Sequence, residues 1–355
     1  MCKGCIKLHP VYVLTLLTLI NMLIYTDRGV LAAVASTLES KSEGLDLNSK
    51  QIGAIGSLFM FGYMIAGPIF AHYGQVSHPL TLIAIGLTIW GISTALTGYS
   101  KDFWTLAGAR AVSGAGEASF VCLAPPYILD HAPSGSKTTW IAIFYSALSI
   151  GNAIGYVYGN LVNELLGGWY WPFYFEAVFV IPLIVVCVLA KKENFKVEAE
   201  ENDEKKEENE VFTVGQQVKI LGKNLTFVFI VLGFTSFIFT MGGLGFWAPF
   251  IVEKLFDQTA RVANVTLGII ILTSGILGTL SGSCLFDCLM KKYVALAKSE
   301  KISNEALTLI TTEKANLFLF ITTFFSFLFG VSALLFDDFL YFKIFMWFFL
   351  FLMYM

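Results

Sequence analysis

Four ionisable side chains stand well inside apolar stretches in the first half of the 355-residue chain. They are Asp27 and Arg28 in INMLIYTDRGVLAAV, and Arg110 and Glu117 in LAGARAVSGAGEASF. A charge at mid-membrane costs about 2.5–3.5 kcal/mol on insertion scales, so four facing lipid would cost about 10 kcal/mol. Two are positive and two negative, so they are expected to face one another or a wet cavity. Arg110 and Glu117 are two helical turns apart and share one side of their helix, with the small residues Ser113 and Gly114 leaving room between them. On the first helix Asn21, Tyr25 and Arg28 share a face, and Asp27 lies about 100° away. The chemistry this suits is ion binding and proton exchange. A guanidinium holds an oxyanion bidentately, and a carboxylate beside it can change protonation as water access changes. The plainer alternative is a buried charge network that only pins two helices together.

No bond-making site stands beside it. There is no G-x-x-x-x-G-K-[ST] phosphate loop, no G-x-S-x-G elbow and no paired metal motif. The histidines His9, His72, His78 and His131 fall at the ends of apolar runs or between them. No catalytic residue, metal or cofactor is therefore assigned, and the chain is not expected to be an enzyme. Cys122, Cys187 and Cys284 lie in apolar runs, where cysteine packs as a small hydrophobe. Cys2 and Cys5 form a C-x-x-C without a second pair.

The elements that must position these charges are legible from composition. Hydrophobic residues make up 56% of the chain and charged residues 14%, against about 25% charged in soluble domains. A soluble enzyme, a disulfide scaffold and a disordered chain are excluded, and the net charge of −3 gives nucleic acid nothing to bind. Ten apolar runs occur at 11–35, 51–71, 80–98, 103–128, 138–162, 171–190, 224–251, 262–286, 315–336 and 339–355. Most have the roughly 20 residues that a spanning helix needs. They are continuous rather than alternating, which excludes a β-barrel. The expected class is an all-α membrane protein. With the N-terminus in the cytoplasm, most Lys and Arg residues fall on the inside.

Residues 191–210, KKENFKVEAEENDEKKEENE, read as a solvated linker. They divide the chain into a six-helix N-terminal bundle (1–190), a charged cytoplasmic linker (191–223) and a partial C-terminal bundle (224–355). Two six-helix repeats joined by a linker are the plan of the major facilitator transporters, which this arrangement resembles. The second group holds about four helices, so it is expected to be incomplete, either a truncated record or an incomplete transporter. Gly151, Gly155 and Gly159 make one flat face on the fifth run. Gly53, Gly56, Gly62 and Gly67 recur on the second, and Gly268, Gly275, Gly278 and Gly282 on the eighth. Such faces let helices approach closely. They serve either ordinary packing or a sliding, gating seam between the two bundles.

Several stretches together resemble the Spinster family of facilitators. INMLIYTDRGVLAAV is similar to that family's N-x-x-x-Y-x-D-R signature, and LNSKQIGAIGSLFMFGYMIAGPIF to its second helix. LAGARAVSGAGEASFVCLAPPYILDHAP carries R-x-x-x-G-x-G-E, with Arg110, Gly114, Gly116 and Glu117 in register. MGGLGFWAPFIVEKLF resembles a Gly-rich stretch ending in W-x-P, here Trp247 and Pro249. One departure stands out. In HYGQVSHPL (72–80), Gln75 and Val76 occupy the positions of the Asp-Arg that clamps the inner gate in facilitators. Asp287 with Lys291 and Lys292 is the expected counterpart after the eighth run.

The resemblance implies proton-coupled export of a lysophospholipid, sphingosine or its phosphate. Arg28 and Arg110 would hold phosphate, and Asp27 and Glu117 an ammonium or the coupling proton. Tyr25, Tyr63, Phe120, Tyr145 and Trp247 would line the path of the tail. The expected partners are a lipid or small amphipathic substrate, protons and membrane lipids. The expected protein is a monomer in an endolysosomal or plasma membrane. A small organic anion or sugar acid is the alternative cargo, and a non-transporting truncated protein the alternative of another class.

Overall fold

A computed structural model describes residues 10–74, 77–133, 136–190, 221–299, 304–335 and 338–355. Every apolar run becomes a helix: α1 (Pro10–Ala33), α2 (Ser49–Tyr73), α3 (Pro79–Tyr99), α4 (Phe103–His131) and α5 (Lys137–Leu166). Then follow α6 (Trp171–Leu189), α7 (Leu225–Leu255), α8 (Ala260–Ser299), α9 (Asn304–Leu335) and α10 (Phe339–Tyr354). A short helical turn, Ala35–Glu39, follows α1, and no strand occurs among the described residues. Polar residues set several starts. Asn48 and Gln51 form a reciprocal capping box at α2, and Asp102 accepts from the Thr105 amide at 2.9 Å at α4. Each satisfies an amide that the first turn leaves without a helical partner. Gly167, with φ at +65°, ends α5 in the left-handed conformation that glycine adopts without strain.

Eight of these helices are long and apolar enough to cross a membrane. Of the other two, α4 carries Arg110 and Glu117, and α10 has 16 residues. Two helices exceed their apolar runs by more than ten residues. α8 continues to Ser299 rather than stopping at 286, and α9 starts at Asn304 rather than 315. Their extra turns, in DCLMKKYVALAKS and NEALTLITTEK, are rich in Ala, Leu, Lys and Glu. Those residues favour helix in water as well as in lipid, and a search for apolar runs passes over them. Cys2, Cys5, Gln75, Val76 and residues 191–220 of the linker lie outside the described residues, as do the side chains of Asp287 and Lys291.

The first six helices interlock around Leu17, Ile20, Ile24, Ile83, Leu87, Trp90, Phe120 and Ile128, all fully buried. α1 packs along α5, α2 along α4, and α3 between α4 and α6. In the later helices α8 and α9 both pack on α10, around Leu267, Phe342, Met346 and Phe349. The two groups meet where α8 lies on α5 and α7 lies on α1.

The glycine face of α5 differs from the gating seam set out above. Gly151, Gly155 and Gly159 face α1, inside the N-terminal bundle. A Cβ on Gly151 would stand 2.5 Å from the Met22 carbonyl oxygen, and one on Gly29 of α1 would stand 2.5 Å from that of Asn152. A row of glycines marks a close contact but does not name the partner. The side of α5 turned to α8 is carried by Ser149, Ala153 and Val157, against Gly268 and Gly275. Gly155→Ala would drive a methyl into the Thr26 carbonyl, and such overpacking costs about 1–3 kcal/mol. Its thermal unfolding in detergent is expected well below that of the wild type. Gly108→Ala, where nothing lies within 4 Å, is expected to melt no lower than the wild type, because alanine favours the helix over glycine.

Candidate functional site

α1 and α4 bring the four charges together as two crossed ion pairs. Arg110 Nη1 donates to Asp27 Oδ1 at 2.9 Å, and Arg28 Nη2 donates to Glu117 Oε1. The crossing follows from geometry. Asp27 and Arg28 are neighbours, whereas Arg110 and Glu117 stand about 10 Å apart along their helix. The short Asp27 meets Arg110 at its own level, and the long Arg28 side chain spans the two turns to Glu117. Asp27, Arg110 and Glu117 are fully buried, while the Arg28 side chain keeps 25% of its surface exposed. Arg28 is thus the one member of the cluster that an arriving solute can touch. Glu117 Oε2, Ser113 Oγ and the Nε atoms of both arginines have no hydrogen-bond partner among the described residues.

Two further residues belong to the cluster. Phe59 on α2 is buried between the guanidiniums, its ring centroid 5.2 Å from Arg28 Cζ and 5.1 Å from Arg110 Cζ. Cation–π attraction of this kind is worth about 0.5–2 kcal/mol per contact. Glu176 on α6 is buried and faces Asp27 and Arg110. It stands inside the sixth apolar run, WPFYFEAVF, where a lone acid was the available signal. Phe59 is one phenylalanine among 33 and carries no comparable mark.

The other sequence-derived residues divide. Tyr25 lies under Arg28, with the guanidinium 4.7 Å from its ring centroid. Half-buried Tyr63 adjoins Arg28 and Glu117, and Tyr145, with 47% of its surface exposed, adjoins Tyr25. Tyr25 and Tyr63 thus stand beside Arg28, with Tyr145 next to Tyr25. Trp247 stands apart on α7 against Gly53 of α2. Three expectations are corrected. Phe120 lines no cavity, because it is fully buried in the bundle core with its ring 5.9 Å from that of Phe144. Gly114 leaves no room, because the backbone of α2 at Phe59 occupies the space a Cβ would need. Asn21 is buried and donates to the Phe144 carbonyl at 2.9 Å, so it clamps α1 to α5 instead of facing a cavity.

A second set of charges lies at the end of the molecule where α1 leads into α2. Lys254 of α7 pairs with Glu39 at 2.9 Å, and Arg261 of α8 pairs with Glu164 of α5 at 3.1 Å. Each pair ties the first six helices to the later ones. About two turns deeper along the same helices, the Tyr156 hydroxyl of α5 donates to the Gly245 carbonyl of α7.

Residues 17–355 match the family model described as Major Facilitator Superfamily. The probable sphingolipid transporter spinster homolog 1 of Arabidopsis thaliana is 32% identical over 318 residues, which cover 79% of this chain and 64% of the relative. Protein spinster of Drosophila melanogaster is 27% identical over 79% of this chain and 46% of its own length. The chain thus spans less than two thirds of either relative. Among solved structures, a bacterial homolog of the human lysosomal transporter Spinster, inward-facing and unoccupied, superposes with a TM-score of 0.71 at 19% identity. It covers 98% of this chain and 74% of its own. A D-xylose-proton symporter superposes at 0.60 with 15% identity. At these identities the two structures share the fold.

Proposed function

The chain belongs to the major facilitator superfamily, and from that premise we propose that it is a proton-coupled transporter exporting a lysophospholipid or sphingolipid by alternating access. The observation that carries this reading is the crossed pair of ion pairs with one accessible member, Arg28. A phosphate entering beside Tyr25, Tyr63 and Tyr145 takes the Arg28 guanidinium from Glu117. The buried carboxylate then has no cation, and a proton restores its neutrality. Substrate and proton therefore bind together, and Asp27 with Arg110 holds the frame. The relatives named for sphingolipid transport support a cargo with an anionic head and an apolar tail.

Proteoliposomes given labelled sphingosine-1-phosphate or a lysophospholipid on the outside test the reading. A pH gradient is expected to drive accumulation, and a protonophore to abolish it. If a labelled organic anion is carried and lysolipid fails to compete with it, the lipid cargo is wrong.

With the N-terminus in the cytoplasm, the Lys254–Glu39 and Arg261–Glu164 pairs close the outer end. Exposed pairs of this kind contribute up to about 1 kcal/mol each, so removing both shifts the outward-open population by up to about thirtyfold. Spin-label distances across that end should lengthen in the Glu39→Ala, Glu164→Ala double variant. High salt should produce a smaller shift of the same sign in the wild type.

A further inference from the structure

The charge cluster holds one more acid than base. Arg28 is taken by Glu117 and Arg110 by Asp27, which leaves Glu176. Its side chain is 1% exposed, and neither oxygen has a hydrogen-bond partner among the described residues. α6 packs against α3, α1 and α5. From α1 and from α4 behind it, Asp27 and Arg110 face the carboxyl, and from α5 so does Tyr158. The Tyr158 hydroxyl donates elsewhere, to the Pro172 carbonyl at 3.3 Å. α3 brings only neutral side chains along its packed length. Asp27 Oδ2, on the acid facing Glu176, stands 2.9 Å from Arg110 Nη1 as an ion-pair contact, but accepts no hydrogen bond of its own from the described residues.

Two ionised carboxylates in this position would repel each other across a low-dielectric gap with one guanidinium between them. A neutral Glu176 removes the repulsion and supplies the O–H donor that Asp27 Oδ2 lacks. Carboxyl pairs that share one proton are a general solution to this problem.

We propose that the Asp27–Glu176 carboxyl pair is a proton-binding site of this protein, with the proton on Glu176 and donated to Asp27, separate from Glu117 on Arg28. The proposal deepens the transport reading and rests on the cluster's handling protons. Binding is a simple addition, a carboxylate and a proton giving a carboxylic acid. In this arrangement the cluster carries two positive and two negative charges, and Asp27 stays aligned on Arg110.

Infrared difference spectroscopy of the full chain in lipid nanodiscs, titrated with acid and base in H2O and D2O, tests the site without any substrate. The wild type is expected to show the carbonyl stretch of a buried carboxylic acid, shifted in D2O. The band is expected to vanish in Glu176→Gln and to persist in Glu117→Gln. Glu176→Asp keeps the acid and should keep a band at a displaced frequency, which covers the case in which the amide variant does not fold. A band that survives in Glu176→Gln, or its absence from the wild type, would overturn the site. Neither result depends on transport, so the cargo reading stands or falls by the proteoliposome assay alone.

Discussion

Arg110→Ala is expected to unfold the N-terminal bundle at a much lower temperature than the wild type and to abolish transport. The substitution removes the guanidinium bound to Asp27 and facing Glu176, and leaves buried Asp27 without its cation. Breaking a buried ion pair by deleting one partner costs about 3–5 kcal/mol, a large share of the 5–15 kcal/mol that holds a typical domain together. Arg110→Lys is expected to recover only part of the loss. An ammonium matches the charge but lacks the planar fork that meets Asp27 and the flat surface that lies on Phe59. The decisive comparison is the double variant Asp27→Asn with Arg110→Gln. Replacing both charges by neutral groups of similar shape can be close to neutral for stability. The double variant should therefore melt above Arg110→Ala while remaining unable to transport. A double variant less stable than the single one would show that the pair's attraction, rather than the penalty of an unpaired charge, dominates at this site.

Glu117→Gln is expected to separate binding from coupling. Glutamine copies the shape of the protonated acid and no longer competes for Arg28. Hydrogen bonds to charged groups are worth about 1.5–3 kcal/mol, so an anionic head should bind Arg28 about 10- to 100-fold more tightly in the variant. Exchange of labelled lysolipid across vesicles without a gradient should continue, whereas accumulation driven by a pH gradient should disappear. The bundle should stay folded, because Arg28 is partly solvated and rests on Tyr25 and Phe59. Equilibrium binding and gradient-driven uptake, measured on one preparation, check both halves. Uphill accumulation at the wild-type level would remove Glu117 from the coupling step.

The helices were legible because each apolar run had to be long enough for a bilayer, and length survives every uncertainty about packing. Even α4 was found at 103–128, because its Gly, Ala and Ser residues bracket the two charges without breaking the run. The four charges were legible for the same physical reason, the cost of placing them in lipid. Their pairing was not. Helical spacing puts Arg110 and Glu117 on one side, but which of the α1 charges meets which depends on side-chain reach and helix offset. Glu176 stands only six residues into its run, a position that reads as the water interface until α1 and α4 close around it. Phe120 and Gly114 show the converse error. A small or aromatic residue near a charge reads as cavity wall or cavity space, and only the path of α2 reveals that backbone fills that volume.

On the transport reading proposed above, α2 adjoins both regions that would have to change. Its Gly53 and Gly56 lie against Trp247 and Phe246 of α7, and six residues beyond Gly53, about 9 Å along the helix, Phe59 rests on both guanidiniums. A rigid rod that touches its neighbours at two such places would work as a lever. On that reading, a roll of α2 that frees the indole at one contact would drag the phenyl ring across the arginines at the other, so parting of the helix groups and loosening of the ion pairs would become strokes of a single machine part.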